Sequence, residues 1–191
     1  IDRVLYGSSM SVYGDHEYLP VDESHPVDPK TYYAAGKLSA EAYVQLHDNL
    51  GLDTTVFRMF SVYGPGQDLD NRKQGMVSIY LSFLVADEEL VVKGSFDRFR
   101  DFVYVDDVAD AWIEAVDEPA TYGETYNLGR GERVTVEELV ETMIDRWGVE
   151  DYPVRRAEGT PGDQFGIYGD VSKLRADLDW SPDVSLAEGL D

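Results

Sequence analysis

The run Thr31-Tyr-Tyr-Ala-Ala-Gly-Lys-Leu-Ser-Ala-Glu41 decides how the rest of this chain is read. It reads as the opening turns of a helix from about Thr31 to Asn49, stopped at Gly51, a residue suited to a helix end. Tyr33 and Lys37 stand four residues apart on one face of that helix, so a phenol and an ammonium can act on one substrate. A free tyrosine, with a pKa of about 10, is a poor base at neutral pH, and an adjoining positive charge favours its phenolate. Such a pair can take a proton from an alcohol. Taken alone, the spacing is equally that of a helix with one buried aromatic and one solvated lysine. Ala34, Ala35 and Ala40 are small enough to bring the helix close to a sheet.

Working outward, Arg3-Val-Leu-Tyr6 reads as a short buried strand running into Gly7-Ser-Ser-Met-Ser-Val-Tyr-Gly14, a small-residue turn of the kind that ends a parallel strand. Beyond the helix, Thr54-Thr-Val-Phe-Arg-Met-Phe60 is a β-branched and aromatic strand, closed by a turn at Ser61-Val-Tyr-Gly-Pro-Gly66. Strand, helix, strand in this order predicts a right-handed parallel unit and an α/β fold. Ligands of open α/β sheets sit at the carboxyl ends of the strands. Ser8, Ser9 and Ser11 are therefore expected where Tyr33 points.

The charge is the loudest feature of the composition: 38 acidic against 16 basic residues, a net charge of −22. Such a surface repels phosphate backbones, which disfavours a nucleic-acid partner. The acids are spread over helix faces, and adaptation to a salt-rich cytoplasm is the preferred explanation. No apolar run is long enough to cross a bilayer and no leader is recognised, so a soluble, cytoplasmic protein with no membrane partner is expected. Without cysteine there is no disulfide, thiol nucleophile or thiolate metal site. His16, His25 and His47 are scattered without paired spacing, and no metal site is expected.

His16 to Lys30 is a polar, proline-bearing loop, suited to lining a site or to turning the chain. Gly75 to Asp87 reads as a helix, and Leu90 to Lys93 as a short strand. Arg98 and Arg100 are candidate clamps for a diphosphate, because guanidinium meets phosphate through two parallel hydrogen bonds; a structural ion pair is the alternative. Asp101 to Val105 and Glu124 to Leu128 read as strands expected to return to the first sheet, with Asp106 and Asp107 capping the helix between them. Thr135-Val-Glu-Glu138 is a capping box opening an amphipathic helix that ends at Gly148. Tyr152 to Glu158 reads as a strand and Asp170 to Leu178 as a short helix.

Five stretches in order, Ser8-Ser-Met-Ser-Val-Tyr-Gly14, Tyr33-Ala-Ala-Gly-Lys37, Arg58-Met-Phe-Ser-Val-Tyr-Gly-Pro-Gly66, Arg100-Asp-Phe-Val-Tyr-Val-Asp-Asp-Val-Ala109 and Tyr126-Asn-Leu-Gly129, are followed by Pro161-Gly-Asp163. Together they resemble the extended short-chain dehydrogenase/reductases, the NAD-dependent sugar-nucleotide epimerases and dehydratases. The resemblance implies Ser9, Tyr33 and Lys37 as catalytic residues. Tyr33, Lys37 and Phe60 would meet NAD, and Ser11, Ser61, Arg100 and Asp163 would meet a nucleotide sugar. It implies part of a doubly wound parallel Rossmann sheet over residues 1–63 and 101–129, and a small α+β substrate lobe over 64–100 and 130–191. It also implies more than a hundred residues ahead of Ile1, carrying the glycine-rich phosphate loop, so an N-terminally truncated chain and a homodimer at full length are expected.

Three positions depart from the family pattern. Met59-Phe60-Ser61 stands where Tyr-Phe-Asn is usual, and Thr160 where an arginine is frequent. The neighbours of Ser9 bear on the reaction. Dehydratases similar to this chain carry an Asp-Glu pair at Met10-Ser11, the sugar-acid decarboxylases carry glutamate at Ser11, and the 3,5-epimerases use a cysteine. What the resemblance leaves is 4-epimerisation of a UDP-glucose-like substrate through a 4-keto sugar. The alternatives are a 4-ketoreductase or a non-catalytic fragment of the same fold.

Overall fold

The computed structural model describes residues 1–72, 75–159 and 164–191. Strand β1 (Arg3–Ser9), helix α1 (Tyr32–Asp48) and strand β2 (Asp53–Met59) form the predicted parallel crossover unit, with Ser9 level with Met59. After β3 (Ser61–Tyr63), α2 (Met76–Val85) and β4 (Leu90–Lys93) come β5 (Phe99–Arg100), β6 (Phe102–Tyr104) and α3 (Val105–Val116). Strand β7 (Glu124–Leu128) returns beside β2, also parallel, giving a three-stranded sheet in the order β1-β2-β7. The chain continues through β8 (Val134–Thr135), α4 (Val136–Trp147), β9 (Val154–Ala157), α5 (Ser172–Asp177) and α6 (Leu186–Gly189).

Side-chain alternation along the strands assigns the two faces of the sheet. Ser8 and Arg58 bond to Glu41 of α1, whereas Phe57 stacks on Trp112 of α3 with ring centroids 5.5 Å apart. The core on the α3 side joins Phe57, Val108, Tyr126 and Leu128 to Leu174 and Trp180 from the last segment. A second core packs Tyr80 and Leu84 of α2 and Leu139 and Met143 of α4 around Leu90, Val92 and Phe102. Three pairs of short strands complete the chain: β3 with β6 and β4 with β9 in parallel, β5 with β8 antiparallel. Among the described residues no helix is long and apolar enough to cross a membrane.

Several local expectations hold in detail. Thr135 and Glu138 bond reciprocally, Glu138 N–H to Thr135 Oγ1 at 3.1 Å and Thr135 N–H to Glu138 Oε2 at 2.7 Å, and Gly148 closes α4 with φ 73°. Others are corrected. Ser61–Tyr63 is a strand and not part of the turn, because the chain changes partner at Phe60: Phe60 N–H bonds Leu128 O and Ser61 N–H bonds Asp101 O, each at 2.9 Å. The turn proper is left to Gly64 and Gly66, both at positive φ. For the same reason Phe102–Tyr104 pairs with β3 and does not return to the first sheet, as Glu124–Leu128 does.

Asp107 is buried, yet it caps nothing in its own helix: its carboxylate accepts Asp183 N–H at 3.0 Å and Val184 N–H at 3.3 Å, fastening the last segment to α3. The His16–Lys30 loop is stitched down by Val21, which bridges to Gly169, and by buried His25, whose ring lies between Tyr13 and Tyr18.

Candidate active site

At the carboxyl end of β1 the backbone turns sharply through a 3-10 turn over Met10–Tyr13. Ser9 caps this turn. Its hydroxyl oxygen accepts Ser11 N–H at 3.2 Å and the Ser11 hydroxyl at 3.0 Å, which leaves the Ser9 O–H itself to donate elsewhere. The turn ends at Gly14, with φ 64° and ψ −132°, where a Cβ would stand 2.0 Å from the Asp28 carbonyl oxygen. Only glycine fits there.

Helix α1 begins beside this turn. Thr31 caps it by accepting Ala34 N–H at 3.1 Å. Tyr33 lies in the first turn and is 60% exposed. Lys37 Nζ lies 5.7 Å from the centre of the Tyr33 ring and 5.3 Å from that of Tyr6, and it donates to Gly7 O at 2.7 Å. Ser9 and Tyr33 line a single cavity of about 300 Å³, together with Phe60, Ser61, Met76 and Val77. A larger cleft of about 510 Å³, lined by Pro20, Asp170, Ser172 and Arg175, contains none of the predicted site residues.

The remaining predicted residues fall in different places. Phe60 and Ser61 are on the cavity wall, while Ser11 touches it only through Ser9. Arg100 is buried away from the cavity lining, and its guanidinium donates to the carbonyls of Phe99 at 2.7 Å, Phe165 at 3.2 Å and Gln164 at 2.8 Å. Asp163 lies outside the described residues. Among the described residues no three His, Asp or Glu side chains stand together as metal ligands.

A buried polar network beneath the site is not apparent in the sequence. Glu41, 1% exposed, accepts the Ser8 hydroxyl and grips the Arg58 guanidinium, with Nη2 to Oε2 at 2.8 Å and Nε to Oε1 at 3.2 Å. Arg58 also donates to the Tyr13 hydroxyl at 3.2 Å, and that hydroxyl donates to Asn127 Oδ1 at 2.5 Å. Burial pushes the Tyr13 phenol up to about 12 against the opposing pull of Arg58. Burial works against the Arg58 charge, but bonding to Glu41 and Tyr13 more than offsets it, so its pKa lies above the ordinary arginine value. The one available signal was Glu41 itself, an acid four residues after Lys37 on the face expected to meet the sheet.

A parallel three-stranded α/β unit with a serine turn and a Tyr-x-x-x-Lys helix over one cavity belongs to the Rossmann-like short-chain dehydrogenase/reductase class. The chain is a member of the NAD dependent epimerase/dehydratase family, whose model matches residues 1–129. Its whole length aligns with a putative UDP-glucose 4-epimerase of Methanocaldococcus jannaschii at 33% identity and with a UDP-glucose 4-epimerase of Mycolicibacterium smegmatis at 35%. It spans 61% and 60% of those two proteins. UDP-glucose 4-epimerase of Thermotoga maritima, solved with UDP-glucose, superposes on the entire chain with a TM-score of 0.92 at 31% identity, over 61% of its own length. The likeness extends past epimerases: UDP-glucuronic acid decarboxylase 3 of Arabidopsis thaliana is 30% identical over 98% of this chain, which covers 55% of that protein.

Proposed function

We propose that this chain carries the catalytic tyrosine of an NAD-dependent nucleotide-sugar 4-epimerase acting on a UDP-glucose-like substrate. One observation carries the reading: Ser9 and Tyr33 face the same cavity while the Lys37 ammonium lies against the Tyr33 ring. The Tyr33 oxygen, acting as base, takes the proton of the sugar 4-hydroxyl as the C4–H bond breaks. Ser9 uses its uncommitted O–H to orient the same oxygen. NAD, held by Lys37 and the Phe60 wall, would supply the hydride acceptor for C4 and the donor for its return. With the 4-keto sugar turned over in the cavity, its opposite face would receive the hydride, and Tyr33 returns the proton, so that the product is the 4-epimer.

Lys37 fits a cofactor ribose, because Gly7 O occupies one of its three N–H donors and two are left. Phe60 belongs to the cofactor side of the cavity and Ser61 to the sugar side, while Ser11 acts on the sugar through its bond to Ser9. The family pattern assigns Arg100 to the diphosphate and Asp163 to the nucleotide ribose, and Arg100 takes that role only by giving up bonds it now makes to the carbonyls of Phe99, Phe165 and Gln164. Residues 1–63 with 101–129 then serve the cofactor, and 64–100 with 130–191 the substrate. Met10-Ser11, in place of an acidic pair or a glutamate, favours epimerisation over dehydration and decarboxylation.

The charge of −22 supports a protein adapted to a salt-rich cytoplasm. Helix α1 turns Tyr32, Tyr43 and Leu46 outward, all exposed and at helical spacing, with exposed Leu50 in the turn just beyond it, and a second copy of the chain is the proposed cover for this stripe. The reaction is tested by assaying the full-length gene product on UDP-glucose and UDP-galactose. Interconversion that disappears in Tyr33→Phe is expected, and an equally active variant would overturn the assignment of the base. A 4-ketoreductase uses the same residues and is separated by whether the keto sugar leaves as product.

A further inference from the structure

Helix α1 lays a narrow apolar strip on the sheet. Its fully buried residues are Ala34 and Glu41, with Leu38, Ala40 and Val44 partly buried, while Tyr43 and Leu46 face away. Beside that strip the contacts are polar and directional. At the far end of the helix Asp48 accepts Thr54 N–H at 3.2 Å and the Thr54 hydroxyl at 3.1 Å. At the end that carries Tyr33 the anchors are Lys37 and Glu41. Lys37 donates to Gly7 O at 2.7 Å, and the Glu41 carboxylate accepts from the Ser8 hydroxyl and from both Nε and Nη2 of Arg58. These contacts land on the two residues before Ser9 and on the residue two before Phe60. Arg58 is itself fixed from behind by the Tyr13 hydroxyl at 3.2 Å, the Glu23 carbonyl at 3.3 Å and the Tyr13 ring at 4.9 Å.

Glu41 lies one turn beyond Lys37 and two beyond Tyr33, on the same side of the helix. A slip of α1 by one residue would shift it about 1.5 Å and turn it by about 100°. Glu41 would then leave Arg58, and Tyr33 would swing off the cavity wall.

We propose that Glu41 and Arg58 are positioning residues: their buried pair fixes the rotation and axial register of α1, and so holds Tyr33 and Lys37 over the serine turn. The proposal rests on the reading of Tyr33 as the proton acceptor. A buried ion pair is a poor source of net stability, since a well-packed apolar pair often serves as well, but it constrains direction as an apolar contact cannot. Stability and position can therefore be separated.

The test replaces both partners, Glu41→Leu with Arg58→Met, in the full-length gene product. The melting temperature is expected within about 4 °C of wild type. By contrast kcat should fall about 100-fold with KM little changed, the cost of a misplacement of about 1 Å. Amide exchange along α1 should quicken about tenfold or more while exchange in β2 holds. Arg58→Lys keeps the charge and loses the fork, and should give an intermediate loss of about tenfold; it also serves if the double variant does not fold. Wild-type kcat and wild-type exchange in α1, in either variant, overturn the proposal. A wild-type protein that turns over no nucleotide sugar, or a fully active Tyr33→Phe, defeats the reaction reading instead, and the exchange measurement still decides the positioning claim.

Discussion

Asp101 offers a stability prediction whose sign can be worked out in full. It is fully buried, and its carboxylate accepts three backbone N–H groups, from Arg130 at 2.7 Å, Gly131 at 3.0 Å and Gly169 at 3.3 Å. Burial nevertheless dominates and pushes its carboxyl from an ordinary 3.8 up to about 6, against the lowering effect of those bonds. A carboxyl that holds its proton more tightly when folded stabilises the fold as pH falls through its folded pKa. The effect is complete below the unfolded value and absent well above 6. With those two values Asp101 contributes roughly 1.4 kcal/mol more at pH 5 than at pH 7.5, rising towards about 3 kcal/mol below pH 4.

Asp101→Asn removes this dependence and turns an amide NH2 towards backbone donors, leaving N–H groups unpaired at about 1–3 kcal/mol each. The assay is urea unfolding of wild type and variant at pH 7.5 and pH 5, where the other carboxylates cancel in the difference. The variant is expected to be less stable at both pH values, with a gap about 1.4 kcal/mol wider at pH 5. A gap that narrows on acidification would show that Asp101 is held by its donors more strongly than it is penalised by burial.

Three further outcomes are expected. Gly14→Ala forces a Cβ to 2.0 Å from the Asp28 carbonyl at a φ of 64°, and should cost about 3 kcal/mol in urea unfolding, with a cost under about 1 kcal/mol contradicting the geometry. If the charge of −22 is a salt adaptation, raising potassium chloride from about 0.1 M to about 2 M should lift the melting temperature by more than about 5 °C, and a flat profile would refute it. If a second copy covers the α1 stripe, the protein sediments as a dimer and Tyr43→Lys with Leu46→Lys makes it a monomer; a monomeric wild type at micromolar concentration would refute the dimer.

Much of the architecture was legible because its signals are local. The Thr135/Glu138 capping box, the Gly148 stop and the Tyr33–Lys37 spacing each depend on residues within one or two turns. The unread parts depend on long-range partners. Ser61–Tyr63 looks like the tail of a turn until β6, some forty residues on, offers Phe102–Tyr104 to pair with it. Asp107 looks like a helix cap, and its carboxylate is instead claimed by Asp183 and Val184. The Glu41–Arg58 pair joins residues 17 apart across a crossover, and neither residue type normally signals burial. At the site, the sequence identified Ser9 and Tyr33 as neighbours, but the carbonyl partners of Arg100 are contributed by a distant segment that its own strand could not announce.

The central claim, that Tyr33 and Ser9 act on one sugar hydroxyl through a keto sugar that never leaves, is tested most directly with UDP-glucose deuterated at C4. The full-length gene product should yield UDP-galactose with deuterium still at C4, and Tyr33→Phe should abolish the conversion. Loss of the label, or conversion that persists in Tyr33→Phe, would contradict it.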